Sequence, residues 1–177
     1  GVLILADSPG GSVTASDHIY HAMISLRKSG KPVVVLMGNT CASGCLYLAA
    51  PATKIYANPT TLTGSIGVIM STLNFSKFLE QHGIKGVTIA SQKNKALLSP
   101  FEPIKEEHKV ILKKIVDELF GRFTGILIKW RKIPKTDLMK YADGRVFSAT
   151  QALKFKLIDG IGYKQDALAH LLKLAKL

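Results

Sequence analysis

Residues 32–51 read PVVVLMGNTCASGCLYLAAP, and their order decides the fold: a β-branched strand, a glycine-bearing turn at CASGC, and a short apolar helix stopped by Pro51. The preceding segment has the same plan. GVLILA at residues 1–6 is a continuous apolar run suited to a strand covered on both faces, and it enters the turn DSPGGS. Val13 to Lys28 then follows a helical period, with Ile19, Met23 and Leu26 on one side and Gly30 and Pro32 closing it. Downstream, KIYAN and SIGVIM read as strands around PTTLTG, Phe75 to His82 as a short helix stopped by Gly83, and KGVTIA as a strand leading into the loop SQKNKALLSPFEP. The longest helical pattern runs from Ile104 to about Ile133, with Ile111, Ile115, Leu119 and Ile126 among its apolar positions, and Pro134 ends it. A small helix near Thr136 to Tyr141, the turn ADGR, a capping box at Ser148 and Gln151, and a basic amphipathic helix complete the chain. Strands alternating with helices through short connections predict an α/β domain with a largely parallel sheet and right-handed crossovers.

At 177 residues the chain fits a single domain, 1–177, with a substantial core. Lys plus Arg number 24 against 12 Asp plus Glu, a net +12 that favours anionic partners. The basic residues are spread from Lys105 to Lys140 and along the last helix without interleaved aromatics, so the pattern argues against nucleic acid. Cys41 and Cys45 have no neighbouring Cys or His partner, which predicts two small buried thiols and neither a zinc site nor a disulfide framework. No run reaches the length of a membrane span. The chain opens inside a strand, so an upstream strand or anchor is expected outside this sequence.

Both glycine-bearing turns follow a strand and precede a helix. Helix starts expose unpaired backbone N–H groups, and glycine lets a ligand approach them closely. SPGGS has neither GxGxxG spacing nor a P-loop lysine, so an oxyanion hole fits better than a phosphate cradle. The hydroxyl between Ala42 and Gly44, Ser43, is by itself an ordinary helix cap, since serine is favoured at that position everywhere.

The separated motifs DSPGG, ASGCLYLAAPATKIYANPTTLTGSIGV and ADGRV, in that order, resemble the signal peptide peptidase A family, also called protease IV, over essentially the whole chain. The resemblance implies a spiral of ββα units shared with Clp protease and the crotonases, and a serine-lysine dyad. The family nucleophile falls on Ser43 and its general base on Lys95 in SQKNKALLSP, with Lys93 the nearby alternative. The supporting serine of TGS(I/L)GV falls on Ser65, and the oxyanion donors on the N–H of Gly44 and of Gly10 or Gly11. Cys45 departs from the pattern, standing where the family has a second glycine. No metal and no cofactor is implied.

A free lysine amine titrates near 10.4, and burial can lower it by about 3–5 units, enough to make a base near neutrality. ALLSPF after Lys95 supplies apolar cover, and Ser65 offers a hydroxyl without a negative charge. A Clp-type triad needs a histidine that is absent between Ser43 and His82; His18 and His21, one turn apart on the first helix, read as surface or packing residues. The resemblance further implies cleavage of spent signal peptides, a homo-oligomer, and attachment to a bacterial membrane with the site on the periplasmic or extracellular side. Two rivals stand beside the endopeptidase: a crotonase-like acyl-CoA enzyme, for which Asp7 is the one carboxylate in the site stretches, and a non-catalytic scaffold of the same fold.

Overall fold

The structure, a computed structural model, describes residues 1–176. In chain order the elements are β1 (Val2–Ser8), α1 (Val13–Lys28), β2 (Val33–Ala42), α2 (Gly44–Ala49), β3 (Lys54–Ala57), β4 (Leu62–Gly64), α3 (Ser76–Gln81), α4 (Glu106–Arg131), α5 (Lys135–Leu138), β5 (Val146–Ser148), α6 (Ala149–Lys154), β6 (Gly160–Ile161) and α7 (Lys164–Ala175). The chain divides into two compact units, Val68–Leu119 and the remainder on either side of it.

The first unit is built on β2. Its β-branched run pairs in parallel with β1 on one side, Val2 opposite Val33 through Ala6 opposite Met37, and with β3, Val34 opposite Lys54 through Met37 opposite Ala57. The last three residues of β2 pair with β4, Thr40 opposite Leu62 and Ala42 opposite Gly64. β6 extends β3 in parallel, and β5 closes the other end against β4 as the antiparallel strand. The result is a six-stranded, largely parallel α/β sheet.

Parallel strands are covered on both faces, and β2 shows it residue by residue. Val33, Val35 and Met37 join one cluster with Tyr20 and Met23 of α1, Leu46 and Ala49 of α2, and Phe123 and Leu127 of α4. The alternate residues Val34 and Leu36 pack on Ala167 and Leu171 of α7. The capping box expected at Ser148 and Gln151 forms reciprocally on α6, and at the other end of the chain Ser12 Oγ accepts the N–H of Ala15 to start α1.

Four local expectations are corrected. The buried stripe of α1 is Ser16, Tyr20 and Met23, with Ile19 left 49% exposed, because the aromatic ring of Tyr20 takes the place against the core. The strand expected at SIGVIM lies earlier, at Leu62–Gly64, where β2 and β5 both offer ladder partners; Ser65, at φ 50°, turns the chain out of the sheet. KGVTIA is not a strand. Val87 and Ile89 are exposed by 85% and 97%, and no strand pairs with them among the described residues, so the apolar run has no ladder to join. The fourth correction, at the two cysteines, belongs to the site.

The second unit holds α3 and the N-terminal part of α4, joined by irregular chain. Phe75 N–H bonds to Pro100 O at 2.7 Å, and Asn74 Nδ2 to Glu102 O at 2.7 Å, which ties the start of α3 to the chain leading into α4.

Candidate active site

The parallel strands of the first unit converge at their C-terminal ends, where α/β sheets place their sites. Ser43 stands between β2 and α2 at φ 52°, ψ −118°, a conformation that costs a non-glycine residue about 1–3 kcal/mol and persists only where the surroundings impose it. The surroundings are visible. Ser43 N–H donates to Gly64 O at 2.8 Å, and Ser43 O accepts the N–H of Tyr47 at 3.0 Å. One step before, Thr63 Oγ1 donates to Cys41 O at 2.6 Å. The Ser43 hydroxyl makes no capping bond to α2, so the ordinary reading of a serine at a helix start does not account for it. The side chain is half-buried and free to act on something else.

The DSPGG turn meets this serine from β1. Gly10 has φ 111°, and a Cβ there would lie 2.8 Å from Ser43 Cβ, 3.0 Å from Gly44 N and 3.1 Å from Ala42 O. A side chain at Gly44 would collide with Ser16 Oγ and come within 3.4 Å of Gly11 N. The two turns thus pack backbone to backbone, an approach that only glycine permits. Gly10 N–H is engaged by Ser8 Oγ at 3.2 Å. Gly11 N–H and Gly44 N–H find no acceptor among the described residues, which leaves two unengaged donors beside the serine.

Asp7 is occupied elsewhere. β1 and β2 lose register between Ala6 and Ser8, where Ser8 pairs with Cys41, and the Asp7 carboxylate accepts the N–H groups of Asn39 (3.2 Å) and Thr40 (3.0 Å) in the bulge. Its charge serves the backbone of the bulge, which weighs against the crotonase-like use of this residue as a base.

Cys41 and Cys45 are joined by a disulfide, with Cα atoms 5.0 Å apart, which overturns the expectation of two free thiols. Four residues apart along an extended strand they could not meet. The turn at Ser43 folds the start of α2 back under the end of β2 and brings them within bridging range.

α2 is fixed in place by residues that the sequence did not single out. Tyr47 O–H donates to Asp17 Oδ1, and Arg122 Nη2 and Nε donate to the same oxygen at 2.6 and 3.1 Å; Arg122 Nε also reaches Tyr47 Oη at 3.0 Å. Burial first, then the Asp17 hydrogen bond, push the Tyr47 phenol up to about 12. Burial also acts to raise Asp17, but the hydrogen bonds from Tyr47 and Arg122 outweigh it and hold the carboxyl below its usual range. Arg27 Nη1 donates to Pro51 O at 2.6 Å at the far end of α2. A tyrosine at the fourth position of an otherwise apolar helix was the available signal, since a buried phenol needs a partner.

Ser65 follows Gly64 as Ser43 follows Ala42, and Ala42 and Gly64 are paired across β2 and β4. Both serines therefore leave adjacent strand ends, both with positive φ. Ser65 N–H donates to Arg145 O at 2.8 Å, which ties it to the ADGR turn. Lys95 belongs to the second unit, exposed in a turn where its N–H bonds to Gln92 O at 3.0 Å. Lys93, exposed in the same turn region, has its amine 3.5 Å from Glu107 Oε2. His18 and His21 lie on the surface of α1, with His21 beside Asp17 at 4.0 Å.

A largely parallel sheet ending in a strained serine turn, with two unengaged backbone N–H groups beside it, is an arrangement of the ClpP/crotonase-like class whose donors are chemically suited to a developing oxyanion. The sequence profile of Peptidase family S49 matches residues 25–177, and the chain belongs to that family of serine peptidases. A protein named for signal peptide peptidase SppA in Enterococcus faecium is 40% identical over 100% of this chain and 52% of its own length. Protease 4 of Haemophilus influenzae is 33% identical over 94% of this chain and 27% of its own, and the chloroplastic serine protease SPPA of Arabidopsis thaliana is 34% identical over 94% and 25%. The chain spans about half the length of the first of these and about a quarter of the other two.

Proposed function

We infer that this chain carries the catalytic serine domain of an endopeptidase working by covalent catalysis. Ser43 Oγ attacks the scissile carbonyl while Lys95 takes the hydroxyl proton and later returns one to the leaving amine; water then releases the acyl-enzyme. Ser65 orients the lysine. The N–H groups of Gly44 and Gly11 stabilise the tetrahedral oxyanion, worth about 3 kcal/mol per donor. Of the two candidate glycines Gly11 is favoured over Gly10, because the N–H of Gly10 is already bonded to Ser8. Lys95 is favoured over Lys93, whose amine faces the Glu107 carboxylate.

The observation that carries this reading is Ser43 itself: a serine held at positive φ, relieved of capping, with two unengaged N–H donors beside it. The substrates proposed are spent signal peptides, bound extended, as the name of the Enterococcus faecium relative suggests. No described helix is long and apolar enough to cross a membrane; association with a bacterial membrane and assembly as a homo-oligomer, with the site on the extracytoplasmic side, are further parts of this proposal. A disulfide within the site is at home in such an oxidising compartment.

The test is cleavage of a fluorogenic peptide with Ala or Leu before the cut, together with labelling by a serine-directed fluorophosphonate. Ser43→Ala and Lys95→Ala should each abolish turnover without unfolding the chain, and Lys93→Ala should retain most of it. Normal turnover in Lys95→Ala with loss in Lys93→Ala would exchange the two lysines. Labelling that survives Ser43→Ala would remove the nucleophile.

A further inference from the structure

Cys41 is the next-to-last residue of β2 and Cys45 the second residue of α2, so their bridge spans Ala42, Ser43 and Gly44. Both cysteines are buried, at 0% and 2% exposure, and both belong to the main core cluster. The bridge therefore passes beneath the turn on its core side, while the half-buried Ser43 stands above it. With a sequence separation of 4, it closes a loop too short to restrain the unfolded chain as strongly as a long-range bridge would. Its main effect is local. The segment it encloses contains the one serine that the reading above makes the nucleophile, held at φ 52°, and Gly44, whose N–H is one of the two unengaged donors.

The hydrogen bonds from Ser43 N–H to Gly64 O and from Tyr47 N–H to Ser43 O hold the turn to β4 and to its own helix. The disulfide adds a direct tie from strand end to helix start. A misplacement of about 1 Å in such a centre is enough to cost orders of magnitude in rate.

We propose that the Cys41–Cys45 disulfide is a positioning element for the nucleophile, so that the peptidase is active in its oxidised form and slowed when the bridge opens. Closed, it keeps Ser43 and the Gly44 N–H in attacking register. A dithiol reductant opens it by two-electron exchange: the S–S bond breaks, each sulfur leaves as a thiol with one proton, and the reductant becomes a cyclic disulfide. The turn is then free to relax toward an ordinary negative φ while the sheet stays intact. The proposal rests on the reading of Ser43 as nucleophile.

The test uses the full chain in three forms: oxidised, held in excess dithiothreitol, and Cys41→Ala/Cys45→Ala. Each is followed by fluorophosphonate labelling rate, by kcat and KM for the fluorogenic peptide, by thiol titration, and by far-UV circular dichroism. Opening or removing the bridge should lower the labelling rate and kcat by about tenfold or more with KM little changed and the dichroism intact, and reoxidation should restore the reduced protein. Equal rates in the oxidised and thiol-titrated reduced forms overturn the positioning role and leave Ser43 as nucleophile. Absence of labelling in the oxidised protein, as in Ser43→Ala, overturns the underlying reading instead. A bridge that resists reductant leaves the double variant to decide, and a double variant that loses its dichroism leaves the reduced wild type to decide. Loss of fold in both forms makes the bridge a stabilising element and overturns the proposal.

Discussion

Ser43 occupies a backbone conformation that an L-residue adopts only under constraint, and much of the constraint comes from the absence of side chains around it. Gly10 illustrates this. Its own φ of 111° disfavours any side chain, and a Cβ would press on Ser43 Cβ, Gly44 N and Ala42 O at once. Gly11, one residue on, has open space where its Cβ would stand. Gly10→Ala should therefore lower stability by about 2 kcal/mol or more, through strain that has no flexible neighbour to absorb it, and displace the serine turn. Gly11→Ala should leave the thermal midpoint nearly unchanged. Thermal unfolding of the two variants side by side checks the contrast, and equal losses would mean that the two turns do not pack as described. The place of Ser43 in a turn between a strand and a short helix was legible in the sequence through the motif around it. Its freedom from capping was not, because a serine before a helix looks the same whether or not its hydroxyl is engaged.

At the scale of elements, α2 is six residues long, too short to be stable by itself, and depends on what holds it. The Asp17–Tyr47–Arg122 group joins it to α1 and α4, and Arg27 holds the chain at its far end. Tyr47→Phe removes the phenol that bonds both Asp17 and Arg122 and should cost about 1–2 kcal/mol in denaturant unfolding, with the Asp17–Arg122 pair persisting. The same group sets two pH limits. Asp17 is held below its usual range, so its contribution to stability is present above the ordinary carboxyl value of about 4 and is lost as pH falls through the lower folded value. Tyr47 titrates near 12, above the ordinary value of about 10, so its contribution is complete below 10 and disappears as pH rises toward 12. Asp17→Asn should flatten the acid limb of a stability profile, and Tyr47→Phe should remove a late-ionising component from an absorbance titration. A wild-type profile with neither feature would mean that the three side chains are not joined in solution.

At the scale of the whole molecule, stability is unevenly spread. β2 is paired on both sides and covered on both faces, with Val33, Val34, Val35 and Met37 fully buried. The second unit has neither strand nor helix between His82 and Lys105, and its apolar residues Ile69, Val87 and Ile89 are largely exposed. Hydrogen exchange should find the slowest amides in Val33–Met37 and the fastest in residues 84–100, since local opening follows buried contact and protected backbone bonds. Strong protection of residues 85–90 would indicate a pairing partner for KGVTIA supplied by another chain. The net charge of +12 acts at this scale too, and any association with anionic lipid should weaken with salt.

The sequence by itself determined the alternation of elements, the limits of α1, the start of α6, the two glycine turns and the serine in the second of them, because periodicity, capping and steric permission are local properties of a chain. It could not decide whether SIGVIM and KGVTIA were strands, since a strand exists only where another offers hydrogen bonds, and the partners of β4 lie in β2 and β5, far away in sequence. Nor could it pair Cys41 with Cys45, engage Asp7 in a bulge, or join Asp17 to Arg122. Each of these depends on where a turn or a neighbouring element places two groups in space, and that is decided only when the chain packs.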